Sequence, residues 1–305
     1  MTHPNKVIVT GGCGFIGSTL VDRLIETQHH VHVIDDLSAE SNDEFYFNNH
    51  ATHHHKSICS KELDDIFVDA DCVFHLAAES RIQPCITNPE KAANTNILGT
   101  LNLLNYCRLH KVRRFIYSST SAVYGMDYEL PTNEKAKVTC LNHYSTTKYC
   151  GEEMVRLYNR MYGIDCCIFR YFNVFGERSP KKGIYAPVIG IFLNQCKERK
   201  PLTIVGNGEQ RRDFIHVQDV VEANILAHWH EGKINSEIFN IGANKNYSIN
   251  EIASFISSNV VHLEPRTGEV RDNMADTSKV QMVLKWQPKI EVENWIKKKL
   301  KLFSS

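Results

Sequence analysis

The chain has 305 residues, 42% hydrophobic and 23% charged, the composition of an ordinary globular protein, and its length suits about two domains or one large α/β unit. Its 35 Lys and Arg balance its 35 Asp and Glu, so no net field draws it to nucleic acid or to an anionic membrane. No window reaches ~18 consecutive apolar residues, which excludes a membrane span. The start also lacks the basic-then-apolar pattern of a signal peptide, and ten scattered cysteines without a Cys-x-x-Cys pair read as reduced thiols of a cytoplasmic protein.

In chain order, a strand over Lys6–Thr10 runs into Gly11-Gly12-Cys13-Gly14-Phe15-Ile16-Gly17 and a helix over Phe15–Thr27. Strands then fall at Val31–Asp35, Cys72–Ala77, Arg114–Ser118 and Asp165–Tyr171, with helices over Lys61–Val68, Pro89–His110 and Tyr144–Tyr162 between them. Strands alternating with helices imply βαβ units, hence a parallel sheet covered on both faces. Beyond Gly176 the alternation breaks into a helix over Ala186–Glu198, short strands near Thr203 and Phe239, and helices at 219–231, 250–258 and 291–300. The expected division is a first domain over 1–172 and a smaller α/β lobe over 173–305, some of whose segments return to the main sheet.

The glycine turn has the right context on both sides, following a strand and opening a helix. Gly11 permits the tight turn, Gly14 lets the backbone approach a pyrophosphate, and Gly17 allows close helix packing. Asp35 and Asp36 end the second strand, Asp35 lying 18 residues beyond Gly17. A carboxylate there accepts from the ribose hydroxyls and repels a 2′-phosphate, which favours NAD over NADP. Tyr144 and Lys148 stand four apart on one helix face, and a nearby ammonium favours a phenolate, making Tyr144 a general acid/base candidate. That spacing alone is common by chance. Its weight rises because the strand ending in Ser118-Ser119-Thr120-Ser121 would place hydroxyls at the carboxyl edge of the sheet, where such folds bind ligands. His53-His54-His55 cannot converge on one metal ion from a strand, and His228 and His230 lack companion ligands, so they read as helix surface or a lobe contact.

These motifs occur in the order seen in extended short-chain dehydrogenases/reductases. The chain resembles the NAD-dependent epimerase/dehydratase group, most of all UDP-glucose and UDP-N-acetylglucosamine 4-epimerases. Further matches are His75-Leu-Ala-Ala78, Asn96-Ile-Leu-Gly99-Thr100, Arg170-Tyr-Phe-Asn173-Val-Phe-Gly176, Gln210-Arg-Arg212-Asp-Phe-Ile-His216 and Glu264-Pro-Arg266-Thr-Gly-Glu269-Val-Arg271. The resemblance implies a Rossmann-type doubly wound sheet with a C-terminal substrate lobe, a homodimer, and NAD as cofactor. NAD contacts would come from Gly11, Gly14, Phe15, Ile16, Gly17, Asp35, Asp36, Ser57, Ile58, Leu76, Ala77, Ala78, Asn96, Ser118, Tyr144, Lys148 and Tyr171. A UDP-sugar would meet Ser80, Thr120, Tyr144, Asn173, Val205, Arg212, Arg266, Glu269 and Asn273.

Within that resemblance Thr120 hydrogen-bonds the sugar O4, Tyr144 moves its proton, and Lys148 holds the nicotinamide ribose. The 4,6-dehydratases of the group carry Asp and Glu where this chain has Ser121 and Ala122, and its decarboxylases carry Glu at the position of Ala122. Their absence leaves C4 epimerisation as the expected reaction. Another nucleotide-sugar modifier (dehydratase, decarboxylase or 4-keto reductase) is the alternative, followed by a non-catalytic NAD-binding sensor. Asn273 matches the position that gates sugar size and, being small, implies room for an N-acetyl group. Ser57 replaces the usual adenine-binding Asp, and His143 replaces the Pro that often precedes the catalytic Tyr.

Overall fold

The computed structural model describes residues 5–39, 42, 44–126, 128–181, 186–264 and 272–303. Its strands are β1 (Lys6–Thr10), β2 (His30–Ile34), β3 (Thr52–His54), β4 (Ala70–His75), β5 (Arg114–Thr120) and β6 (Asp165–Tyr171). They continue as β7 (Asn173–Phe175), β8 (Leu202–Val205), β9 (Arg211–His216), β10 (Glu237–Ile241), β11 (Asn246–Ser248) and β12 (Val260–Leu263). Seven form one sheet in the order β10-β6-β5-β4-β1-β2-β3, with every pairing parallel. The order reverses between β1 and β4, and such a switch point opens a crevice outside the carboxyl ends of the strands.

The helices are α1 (Phe15–Glu26), α2 (Asp64–Phe67), α3 (Ile82–Thr87), α4 (Pro89–Ala93), α5 (Thr100–Leu109) and α6 (His143–Tyr162). After them come α7 (Val188–Lys197), α8 (Val217–Trp229), α9 (Ile249–Ser254), α10 (Ser278–Leu284) and α11 (Val292–Phe303). Alternation along each strand divides the core in two. Val7 and Val9 join Leu20, Phe74, Ile116, Phe169 and Val220 on one face of the sheet. Ile8 joins Val73, Phe115, Ile168, Leu103 and Val155 on the other. Because both faces are covered, β5 and β6 are buried at every residue.

Residues from the second half of the chain complete this body. β10 pairs with β6, and Trp286, buried, donates from Nε1 to the Asp219 carbonyl. Arg114 sits at the amino end of β5, ion-paired with Asp165 of β6. The same guanidinium donates to the carbonyls of Ala227, His228, His230 and Gly232, satisfying the free carbonyls at the end of α8. The remaining strands form two smaller sheets, β11-β9-β7 and β12-β8. Among the described residues no helix is long and apolar enough to cross a membrane.

Two local expectations are corrected. Residues 89–110 are not one helix: α4 passes into a π-helical stretch, Asn94–Gly99, before α5 begins. The helix expected over Lys61–Val68 shrinks to α2, because the Ser60 hydroxyl accepts from the Glu62 amide and holds a turn ahead of it. Of the two readings of His228, helix surface or lobe contact, its surroundings fit the second: it is buried, edge-on to His29 at 5.1 Å and packed against Phe74. The three consecutive histidines do face different partners: His53 contacts the Asn48 carbonyl, His54 the ring of His32, and His55 the Asp36 carbonyl.

Candidate active site

The carboxyl edge of the sheet opens into a cavity of about 1210 Å³, larger than the ~300–1,000 Å³ of single-ligand clefts. Its cofactor end is built by the β1–α1 turn. Gly11 has φ +68°, and a Cβ there would lie 2.7 Å from the Ala77 amide nitrogen. A Cβ on Gly17 would lie 2.1 Å from the Gly11 carbonyl oxygen, so the helix can approach the turn this closely only without side chains. Gly14 caps α1 with no side-chain acceptor, and the first turn holds no acidic residue. The helix amides therefore stay available for an anion such as a pyrophosphate. Asp35 accepts from the Cys13 and Leu37 amides, each at 2.9 Å, and burial raises its carboxyl above the ordinary value in spite of those bonds. These features fit a dinucleotide.

Phe15, Ile16, Asp36, Ile58, Leu76, Ala77, Ala78, Ser118 and Tyr171 line the same cavity. Two expected cofactor residues do not. The Ser57 hydroxyl accepts from the Cys59 amide within its own turn, while its neighbours Lys56 and Ile58 face the cavity. Asn96, buried in the π-helical stretch, accepts from the Glu79 amide at 2.9 Å and donates to the Glu79 carbonyl and to Thr147. It holds the loop after β4 in place instead of touching the cavity. His75 supports the same loop. Thr100 donates to the Asn96 carbonyl, so it can only accept from His75 Nε2, and Thr10 then donates to His75 Nδ1 at 2.8 Å.

The reacting end lies where β5 meets α6. The β5–β6 register sets Thr120 opposite Tyr171, and the Thr120 hydroxyl accepts from the Ala122 amide. Asn142 and Ser145 form a capping box that starts α6 just before Tyr144. Burial raises the phenol of Tyr144, opposed by the Thr120 hydroxyl and by the charge of Arg81. One turn on, Lys148 is buried with its ammonium 4.3 Å from the centre of the Tyr117 ring. Burial lowers it to about 7, against the pull of Glu152. His143 is exposed and stands outside the cavity.

Sequence reasoning missed two charged residues here. Glu152, a further turn along the face of Tyr144 and Lys148, is fully buried. It accepts from Arg170 Nε at 2.9 Å and Nη2 at 2.6 Å, and from the Ser119 hydroxyl. The extended Tyr-x-x-x-Lys-x-x-x-Glu spacing was a legible signal for it. Arg81, which begins α3, lines the cavity beside Ser80, and no local spacing marks it.

On the far side, Asn173, Val205, Arg212 and Asn273 line the cavity together with Ser80 and Thr120. Asn273 Oδ1 accepts from the Asp213 amide at 2.8 Å and from Asn173 Nδ2 at 3.2 Å, which ties β7, β9 and the 272–276 segment together. Arg266 and Glu269 lie outside the described residues. Among the described residues no three His, Cys, Asp or Glu side chains group as a metal site would require.

The geometry agrees with comparisons against known proteins. Residues 7–242 match the model of the NAD dependent epimerase/dehydratase family. A putative UDP-glucose 4-epimerase of Methanocaldococcus jannaschii is 37% identical over 302 residues, covering 96% of each chain. The structure of UDP-glucose 4-epimerase from Thermotoga maritima with UDP-glucose superposes with a TM-score of 0.92 at 34% identity, covering 98% of both chains. That of UDP-N-acetylglucosamine 4-epimerase from Methanobrevibacter ruminantium, in complex with UDP-N-acetylmuramic acid, also gives 0.92, at 31% identity and 99% coverage of both. With its glycine turn, acid-ended second strand and Tyr144–Lys148 pair on the matching fold, the chain belongs to the NAD-dependent epimerase/dehydratase family and is similar to UDP-sugar 4-epimerases within it.

Proposed function

We propose that the protein is an NAD-dependent UDP-hexose 4-epimerase acting on UDP-Glc/UDP-Gal, with room for UDP-GlcNAc/UDP-GalNAc. The observation that carries this reading is the reacting end itself: Thr120, Tyr144 and Lys148 all line it, and the two positions after Thr120 are Ser121 and Ala122 rather than carboxylic acids. NAD, when bound, supplies a reversible hydride acceptor for C4 of the sugar. The Thr120 hydroxyl orients the sugar O4, and Tyr144 Oη takes the O4 proton and returns it after the 4-keto sugar turns over. Lys148 supplies positive charge that favours the phenolate. Arg212, and Arg266 with Glu269 from the sequence, would hold the diphosphate and ribose, the role charge-assisted arginine contacts suit. Asp35, with Asp36, would take the adenosine ribose.

Asn273 supports N-acetyl acceptance because its side chain is drawn onto the β9 backbone. A cofactor lobe ending near Phe172 and a substrate lobe beyond it is the matching division of labour. Exposed Leu98, Leu109, Leu157 and Met161 on the π-helical stretch, α5 and α6 support a homodimer through that face. The ten unpaired cysteines fit a reducing, cytoplasmic setting.

The test is incubation of purified protein with UDP-Glc, UDP-GlcNAc and a dTDP-sugar, without added cofactor, and product identification by NMR. The 4-epimer as sole product is expected, and a 4-keto-6-deoxy sugar or a net demand for NAD(P)H refutes the reading. Tyr144→Phe should lower kcat by about 10²- to 10⁴-fold; near-normal turnover refutes the assignment of Tyr144.

A further inference from the structure

The loop after β4 is held rigidly. Asn96 pins both the amide and the carbonyl of Glu79, and the Ala77 amide donates to Thr10. Just beyond these anchors the loop turns Ser80 and Arg81 into the cavity that Thr120 and Tyr144 also line. Among the described residues no carboxylate pairs with Arg81, and its Nε is buried without a hydrogen-bond partner. Glu79, the acid next to it in the chain, is already paired with Lys91 at 2.9 Å. A guanidinium whose Nε is buried without an acceptor is costly, and a planar two-oxygen anion is the partner its fork fits. Burial disfavours its charge, and Tyr144 is the group it senses electrostatically.

We propose that Arg81 is a specificity residue that pairs with a carboxylate on the sugar, extending the substrate range to carboxylate-bearing UDP-sugars. The inference rests on the UDP-sugar reading above and adds a substituent to it. A neutral hexose leaves the guanidinium facing hydroxyl groups alone. A carboxylate on the sugar ring or on an ether substituent supplies the missing acceptor. C4 chemistry is unchanged: the hydride and the O4 proton leave and return, so the carboxylate takes part in recognition only.

Wild-type protein, Arg81→Gln and Arg81→Lys are compared on UDP-glucuronate, UDP-N-acetylmuramate and UDP-glucose, by calorimetric binding and by epimer formation in NMR. Wild type should bind at least one acidic sugar more tightly than UDP-glucose, and which one it is distinguishes a ring carboxylate from an ether-linked one. In Arg81→Gln the ratio of kcat/KM for that acid to kcat/KM for UDP-glucose should fall about 10- to 100-fold, the scale of hydrogen bonds to a charged group. Arg81→Lys should restore part of it. Equal losses on acidic and neutral sugars overturn the proposal, because Arg81 would then act on the shared diphosphate or on Tyr144. Tighter binding of UDP-glucose than of either acid also overturns it while leaving the epimerase reading intact. Absence of any epimer with every sugar refutes the epimerase reading, and calorimetry then still decides the role of Arg81.

Discussion

Glu152→Gln removes a carboxylate from the ion pair beneath the Tyr144–Lys148 face. Glu152 is fully buried, and the Arg170 side chain is 2% exposed, so solvent cannot take over the lost contact. Arg170 would keep the Tyr124 ring, 4.7 Å from its guanidinium carbon, and the neutral oxygen of Gln. Breaking a buried pair by removing one partner costs about 3–5 kcal/mol, and the retained acceptor argues for the lower end. At roughly 2–4 °C per kcal/mol for a large domain, the midpoint should fall by about 6–12 °C. A second effect is kinetic. Burial holds Lys148 at about 7, and Glu152 is the first of the charges that oppose that shift. Without Glu152 the ammonium titrates lower, so the decline of kcat as pH rises should begin at a lower pH. Thermal unfolding by circular dichroism measures the first effect, and kcat against pH on the NAD-loaded protein measures the second. A midpoint that moves by less than about 2 °C, or a basic limb that stays in place, contradicts this role for the Glu152 carboxylate. The double variant Glu152→Met/Arg170→Met should regain stability over Glu152→Gln, since no lone buried charge remains.

Gly17→Ala sets a Cβ 2.1 Å from the Gly11 carbonyl, and backbone cannot yield there as a flexible side chain could. NAD binding, followed by fluorescence, should be lost or weakened at least tenfold, and unchanged affinity would show that α1 does not seat against the turn as described. Mild acid should draw stability from two buried histidines, offset in part by Asp213, which burial raises to about 7 and which therefore gains its proton first in the folded state. Burial lowers His228 to about 3 and His75 well below its ordinary value. Both are neutral when folded and take up protons near 6.5 when unfolded, so their stabilisation is present above about 6.5 and is lost as pH falls. By pH 5 His228 should have cost about 2 kcal/mol, and His75 adds to the loss in the same direction. A thermal midpoint flat between pH 7 and 5 in Asp213→Asn, where the opposing carboxyl is gone, contradicts the two buried neutral histidines. Replacing His228 with Gln should flatten part of the decline.

What the sequence determined by itself was set by local spacing. The glycine turn, the acid closing β2, the hydroxyls closing β5 and the four-residue step from Tyr144 to Lys148 follow from periods of two and 3.6 residues and from positions only glycine can fill. Such features need few distant partners, and the structure gathers all of them on one cavity. Contacts remote in sequence depended on the tertiary structure. Arg114 reaches the carbonyls ending α8 across more than a hundred residues, and β10 returns to flank β6. Ser57 has the composition of a cofactor contact but spends its hydroxyl on its own turn. Asn96 matches a cofactor motif yet works through the Glu79 backbone. Arg81 had no motif at all. Its part in the cavity comes from a loop pinned by Asn96, by Thr10 and by the buried His75 beneath, and from the lack of an acid to pair with it among the described residues. Whether a charge is buried and paired depends on which segments fold around it, and spacing along the chain does not encode that.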